Sequence, residues 1–103
     1  MISTLSIIIP VLNEAKVIVR TLSSLQSLRA AGHEIIVVDG GSNDGTPLLS
    51  EPLANRVISS PRGRAHQMNA GAEITSGGIL LFLHADTLLP ENADRLIFSG
   101  MAR

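Results

Sequence analysis

Side chains able to do chemistry gather in short stretches at the ends of apolar runs. Asp39 directly follows the run at residues 35–38. A carboxylate at a strand end can accept hydrogen bonds from a ribose or from a base N–H. It can equally form the turn that Asp commonly makes beside Gly. Gly40 and Gly41 favour the ligand-facing reading, because paired glycines admit a ligand close to the backbone. His84-Ala85-Asp86 closes another apolar run. Mg²⁺ and Mn²⁺ take oxygen ligands, commonly one or two carboxylates completed by substrate phosphates and water. Asp86 is therefore a candidate metal ligand, and an ordinary Asp86-Thr87 turn ahead of Pro90 is the competing reading. Arg62, Gly63 and Arg64 precede a helical stretch whose N-terminus would favour a phosphate, with Arg64 adding charge. The alternative is a pair of solvated arginines. Glu14, beside Asn13, is either an acid favoured by a helix dipole or a ligand contact. Gln67 and Asn69 lie on the helix after Arg64. A polar side chain there facing the sheet edge would mark a site or an internal cap. His33 reads as a solvated turn residue and His66 as a helix-surface residue.

These groups need a scaffold that brings them together. Residues 5–9 form a short, continuous, partly β-branched run of the kind that suits a strand covered on both faces. Asn13 is a candidate helix cap. Ile18, Leu22, Leu25 and Leu28 then recur near helical period, and Gly32 supplies the stop. Residues 35–38 are a second buried-type strand, and 40–45 a loop by composition. Thr46-Pro47 opens a helix, with Pro at its first position. That helix runs through Leu48, Leu49 and Leu53, with an end blurred by Pro52. Residues 56–59 are a third strand and 61–63 a turn. Residues 64–75 form a helix with Ala65, Met68 and Ala72 on one face, broken by Ser76-Gly77-Gly78. Residues 79–83 are a fourth strand, 84–90 a loop and 91–101 a final helix. The order βαβαβαβα predicts an α/β fold, a parallel sheet of about four strands with helices on both faces. Such open sheets bind ligands beyond the carboxyl ends of their strands. Asn13-Glu14, residues 39–44 and residues 84–86 all fall there.

Composition excludes several functions. The chain has 103 residues, a net charge of −1 and 45% apolar residues, which describes one soluble, cytosolic domain rather than a disordered segment. Acids balance the scattered arginines, and the aromatics are only Phe82 and Phe98, so no nucleic-acid partner is expected. Without cysteine there is no disulfide, thiol nucleophile or thiolate zinc site. The first apolar run is interrupted by Pro10 and lacks a basic flank, so no membrane span is expected. Neither GxxxxGK[ST] nor a GxGxxG after the first strand is present, which disfavours P-loop and dinucleotide sites.

Four segments resemble glycosyltransferase family 2, in order and across nearly the whole chain. They are Ser6-Ile7-Ile8-Ile9-Pro10-Val11-Leu12-Asn13-Glu14, Val37-Val38-Asp39-Gly40-Gly41-Ser42-Asn43-Asp44-Gly45-Thr46, Gly63-Arg64-Ala65-His66-Gln67-Met68-Asn69-Ala70-Gly71-Ala72 and Leu81-Phe82-Leu83-His84-Ala85-Asp86-Thr87. The wording is closest to a bacterial-type subgroup with GRAxQMN and LHADT motifs. The resemblance implies a Rossmann-like GT-A fold over residues 1–103 that binds a nucleoside-diphosphate sugar, commonly a UDP-sugar. It implies donor contacts at Pro10, Asn13, Glu14, Asp39, Gly41, Ser42, Arg64 and His84. It makes Asp86 the last acid of a DXD-like motif, binding Mn²⁺ or Mg²⁺. Three positions depart from the family pattern. Gly40 stands where a second acid is frequent, His84 at the first DXD position, and Met68 where many members carry Arg. In the family the catalytic base follows the DXD strand in a second half, so it is expected beyond Arg103. The chain then reads as the donor-binding part of an inverting transferase, with self-association through core surface that the second half would cover. An isolated nucleotide-binding or interaction module is the other reading. A sugar-nucleotide pyrophosphorylase is disfavoured by the missing GxGxR after the first strand.

Overall fold

The computed structural model of the protein describes residues 4–76 and 78–101. Gly77, part of the expected helix break, lies outside the described residues. Strands β1 (Leu5–Val11), β2 (Glu34–Asp39), β3 (Arg56–Ser59) and β4 (Ile79–Phe82) form one sheet in the order β3-β2-β1-β4. All pairings are parallel, with Ile7 opposite Ile35 and Leu81, and Val11 opposite Asp39. The apolar runs read as two-face-covered strands are so: Leu5, Ile7, Ile8, Ile9, Ile35, Ile36, Val37 and Val38 are all fully buried.

The pleat divides these side chains between two cores. Leu5, Ile7, Ile9, Val11, Ile35 and Val37 pack with α1 (Ile18–Ser24), α2 (Gln26–Ala30) and α5 (Ala93–Met101) on one side. Ile8, Ile36 and Val38 pack on the other with Ala70, Ala72 and Ile74 at α4 (Arg64–Glu73). Between β2 and β3, α3 (Thr46–Ser50) gives way to a 3₁₀ turn, Glu51–Leu53. Pro52 sits inside that turn and has no N–H to continue an α-helix. Pro47 takes the second helical position of α3 rather than the first.

The single helix expected after β1 is two short ones. They meet at Leu25, and the Gln26 side chain donates to both Leu22 O and Leu53 O there, occupying a carbonyl that a continuous helix would use. Gly32 ends α2 as expected. Its φ is +100°, its N–H donates to Arg29 O, and the His33 N–H donates to Leu28 O. That pair of bonds is the glycine C-terminal motif.

Three expectations fail for reasons of tertiary contact. Asn13 does not cap a helix: α1 begins at Ile18, and Asn13 sits at φ +53° with its side chain turned to the next loop. The buried face of α4 is Gln67 and Gly71, while Ala65 is exposed and Met68 and Ala72 are only half-buried. His33 is buried rather than solvated. Its Nδ1 accepts the Leu5 N–H at 3.0 Å, so Nε2 carries the proton and donates to Asp94 at 3.0 Å, tying α5 to the start of β1. Along β4, Leu80 and Phe82 remain about two-fifths exposed, and among the described residues only one of the strand's edges is paired.

Candidate functional site

The carboxyl ends of β1, β2 and β4 carry the polar loops, and the loops after β1 and β2 are locked to each other. The Asn13 N–H donates to Ser42 Oγ at 2.8 Å, and Asn13 Oδ1 accepts the Asn43 N–H at 2.9 Å. The Glu14 N–H donates to Thr46 Oγ1, and the Ala15 N–H to Asp44. Thr46 is fully buried, and its hydroxyl donates to Asp44. That bond, helped by backbone N–H groups of Ala15 and Thr46, holds the Asp44 carboxyl below its usual value against a smaller opposing effect of desolvation. The result is a rigid rim that fixes where Pro10, Leu12 and Glu14 stand. Asn13 and Ser42 thus spend polar groups on the rim itself.

Asp39 ends β2 and is buried. Its Oδ2 accepts the N–H groups of Gly41 at 3.0 Å and Ser42 at 2.9 Å, so it does form the turn. Its Oδ1 is buried and has no hydrogen-bond partner among the described residues. A buried carboxylate oxygen left unpaired is costly, and such groups ordinarily have partners. The turn thus uses one oxygen of Asp39 and leaves the other as a buried, unpaired acceptor in the rim. Gly41 has φ +105°, a conformation that a side chain would strain.

Beside this rim lies an open cleft of about 230 Å³, lined by Pro10, Val11, Leu12, Glu14, Arg64, Gln67 and His84. Pro10, Glu14, Arg64 and His84, far apart in sequence, were expected at a donor site, and here they line one cleft. Asn13, Asp39, Gly41 and Ser42 stand in the adjoining rim and do not line it. The volume is below the roughly 300–1,000 Å³ of a complete small-molecule pocket. Arg64, the first residue of α4, is exposed and carries the charge of the cleft's helical side.

Gln67 is the lining residue whose part the sequence left open. It is 5% exposed, and its Nε2 donates to Val11 O and Val38 O, each at 2.9 Å. The signal was present in sequence only as a polar residue on a helix expected to bury apolar ones.

His84 and Asp86 follow β4 and are largely exposed. His84 Nδ1 donates to Asp86 Oδ1 at 2.7 Å, a bond that does not use His84 Nε2 or Asp86 Oδ2. Among the described residues no three or more His, Cys, Asp or Glu side chains form a metal-binding group. A cation here would rest on one or two side chains and take its remaining ligands from phosphate oxygens and water. That donor set fits Mn²⁺ or Mg²⁺ in company with a diphosphate. No helix among the described residues is long and apolar enough to cross a membrane.

Residues 6–102 match the sequence profile of glycosyl transferase family 2. A PGL/p-HBAD biosynthesis glycosyltransferase of Mycobacterium bovis is 39% identical over 98 residues, covering 88% of this chain and 38% of that protein. The mannosyltransferase PcManGT of Pyrobaculum calidifontis, solved in complex with GDP-Man and Mn²⁺, superposes with a TM-score of 0.75 at 31% identity, covering 89% of this chain and 30% of that one. The S. aureus TarS 1-349 structure shares the fold with a TM-score of 0.82 at 22% identity, over 96% of this chain and 32% of that one. The chain thus spans less than two-fifths of the length of each of these proteins.

Proposed function

Given that the chain belongs to glycosyl transferase family 2, we propose that its cleft and rim bind the nucleotide of a nucleoside-diphosphate sugar, as the donor-binding part of an inverting transfer to an acceptor hydroxyl. The observation that carries this reading is the single cleft lined by Pro10, Glu14, Arg64 and His84 at the carboxyl edge of a parallel sheet, where open α/β sheets bind ligands. PcManGT, with its GDP-Man and Mn²⁺, supports the same choice of ligand class.

Each residue then has a task. Asp39 Oδ1 accepts an N–H of the base, which gives its buried, unpartnered oxygen a hydrogen bond. Pro10 and Leu12 flank the nucleoside. Asn13, Ser42 and the sharp turn at Gly41 hold the rim that positions them, and Gly41 lets the ligand approach the backbone. Arg64 pairs with diphosphate oxygens and favours the charge that builds on the leaving group. Glu14 faces the cleft and orients polar groups of the donor. Asp86, oriented by His84, holds the divalent cation. A bound Mn²⁺ or Mg²⁺ would supply Lewis-acid stabilisation of the departing diphosphate. Transfer then needs a base for the acceptor's proton, assigned to no residue of this chain. The exposed Leu80 and Phe82 on β4 support self-association of the chain when nothing else covers them.

The test is calorimetric titration with UDP, GDP and UDP-sugars, with and without Mn²⁺. The expected result is nucleotide binding that Mn²⁺ strengthens, that Asp39→Ala weakens, and whose Mn²⁺ enhancement Asp86→Ala removes. No binding by the native chain would refute the donor-site reading. Binding indifferent to both substitutions would refute the residue assignments. Nucleotide binding without transfer, even with a supplied acceptor-binding half, would favour an isolated binding module.

A further inference from the structure

Gln67 combines features that a purely structural side chain does not need. It sits on α4, 5% exposed, and lines the cleft. Its side chain donates two hydrogen bonds from Nε2, to Val11 O and Val38 O. These carbonyls lie at the ends of adjacent strands, and Val11 O also accepts the Gly40 N–H at 3.0 Å. The two acceptors settle which end of the amide is nitrogen, because a carbonyl oxygen placed there would face two other oxygens. Oε1 is consequently fixed in direction and has no hydrogen-bond partner among the described residues. The space it occupies exists because residue 40 is glycine. A Cβ on Gly40 would stand 2.8 Å from Oε1 and 3.0 Å from Nε2, closer than non-bonded atoms tolerate.

We propose that Gln67 is a nucleotide-positioning residue. Its amide, clamped to the ends of β1 and β2 over Gly40, presents Oε1 as a hydrogen-bond acceptor to a donor group on the nucleoside. This rests on the nucleotide-binding reading of the cleft and adds a contact to it. The donor is either a base N–H or a ribose hydroxyl; the two share one chemistry and are separated by analogues. Pre-organisation is the physical gain: the oxygen is already held in place, so binding costs little side-chain ordering. Gly40 and Gln67 act as one unit, since the glycine is what lets the amide stand there.

The test compares UDP with 2′-deoxy-UDP, 3′-deoxy-UDP and N3-methyl-UDP, titrated against the full chain, Gln67→Met and Gly40→Ala. Met keeps the bulk and removes the acceptor. Ala at position 40 displaces the amide, and since Gly40 is absent from the glycines of positive φ its backbone accepts a side chain. Both variants should lose on the order of 10-fold in UDP affinity. One analogue, the one lacking the contacted hydrogen, should bind variant and native chains alike and so identify the donor group. An equal loss for all four ligands would reduce Gln67 to a structural clamp and overturn the proposal, as would no loss for any. If Gln67→Met does not fold, Gly40→Ala decides by the same comparison. Failure of the native chain to bind any of the four would instead sink the nucleotide-binding reading on which the proposal stands.

Discussion

Replacing Gly71 with Ala should destabilise the protein even though Ala is the better helix former. Gly71 lies in the interior of α4 and is buried against the sheet. A Cβ there would come within 2.5 Å of Ile8 Cγ2 and 3.1 Å of Val38 Cγ2. Carbon atoms pack at about 3.5–4.0 Å, so α4 must retreat by roughly 1 Å or Ile8 must shift. Ile8 has little room to do so, being fully buried between neighbouring strands. Overpacking of this kind costs about 1–3 kcal/mol, and the propensity gain from Gly to Ala returns about 1 kcal/mol at most. A contact as short as 2.5 Å takes the upper part of that range, about 2–3 kcal/mol, which leaves an expected net loss of about 1–2 kcal/mol. For a domain of this size it lowers the melting temperature by about 4–16 °C. Urea and thermal unfolding of Gly71→Ala against the native chain measure it. Gly78→Ala is the control: a Cβ there meets nothing within 4 Å, so its stability should stay within about 0.5 kcal/mol of native. A Gly71→Ala protein as stable as native would refute the claim that α4 is held to β1 and β2 by a close glycine contact.

Other substitutions report on other parts of the molecule. His33→Phe keeps the packing near Phe98 but strands the Leu5 N–H and the Asp94 carboxylate; urea unfolding should show a loss of about 1–3 kcal/mol. The acid limb of stability follows from Asp94 and Asp44, whose carboxyls are held below 3.8, chiefly by hydrogen bonds from His33 and Thr46 respectively. Because the folded values are the lower ones, the stabilisation is present above the unfolded carboxylate value and is lost as pH falls through the folded ones. Asp94→Asn and Asp44→Asn should each flatten the decline seen below about pH 4, read from urea midpoints across pH. Arg64→Ala should weaken UDP binding and leave uridine binding unchanged, with the UDP deficit shrinking at high salt; equal loss for both ligands in paired titrations would remove Arg64 from the diphosphate.

The fold was legible because its signals are local. Runs such as Leu5–Val11 and Glu34–Asp39 are dense in β-branched residues, and a strand covered on both faces needs nothing more elaborate. Gly32 could be placed at a helix end because positive φ is a property of the residue itself. The strand-end positions of Asp39, His84 and Asp86 and the helix-start position of Arg64 followed from the alternation of elements, and four family-like segments pointed to the ligand class. What the chain order alone could not decide was which polar groups meet. Asn13 looks like a cap, yet its partners Ser42 and Asn43 lie 29 and 30 residues away. His33 looks solvated until Leu5 and Asp94, 28 and 61 residues distant, close over it. On α4 the apolar positions form no clean stripe. The buried face was set instead by the close approach of Gly71 to Ile8 and by the strand-end carbonyls that Gln67 satisfies. Backbone preference and hydrophobic runs are written residue by residue, so sequence determined the sheet, its strands and the edge that carries the site. Hydrogen-bond partnership and steric room depend on atoms brought together only by folding, so tertiary structure alone decided that Asp39 keeps a buried, unpaired oxygen and that Gln67 stands over Gly40.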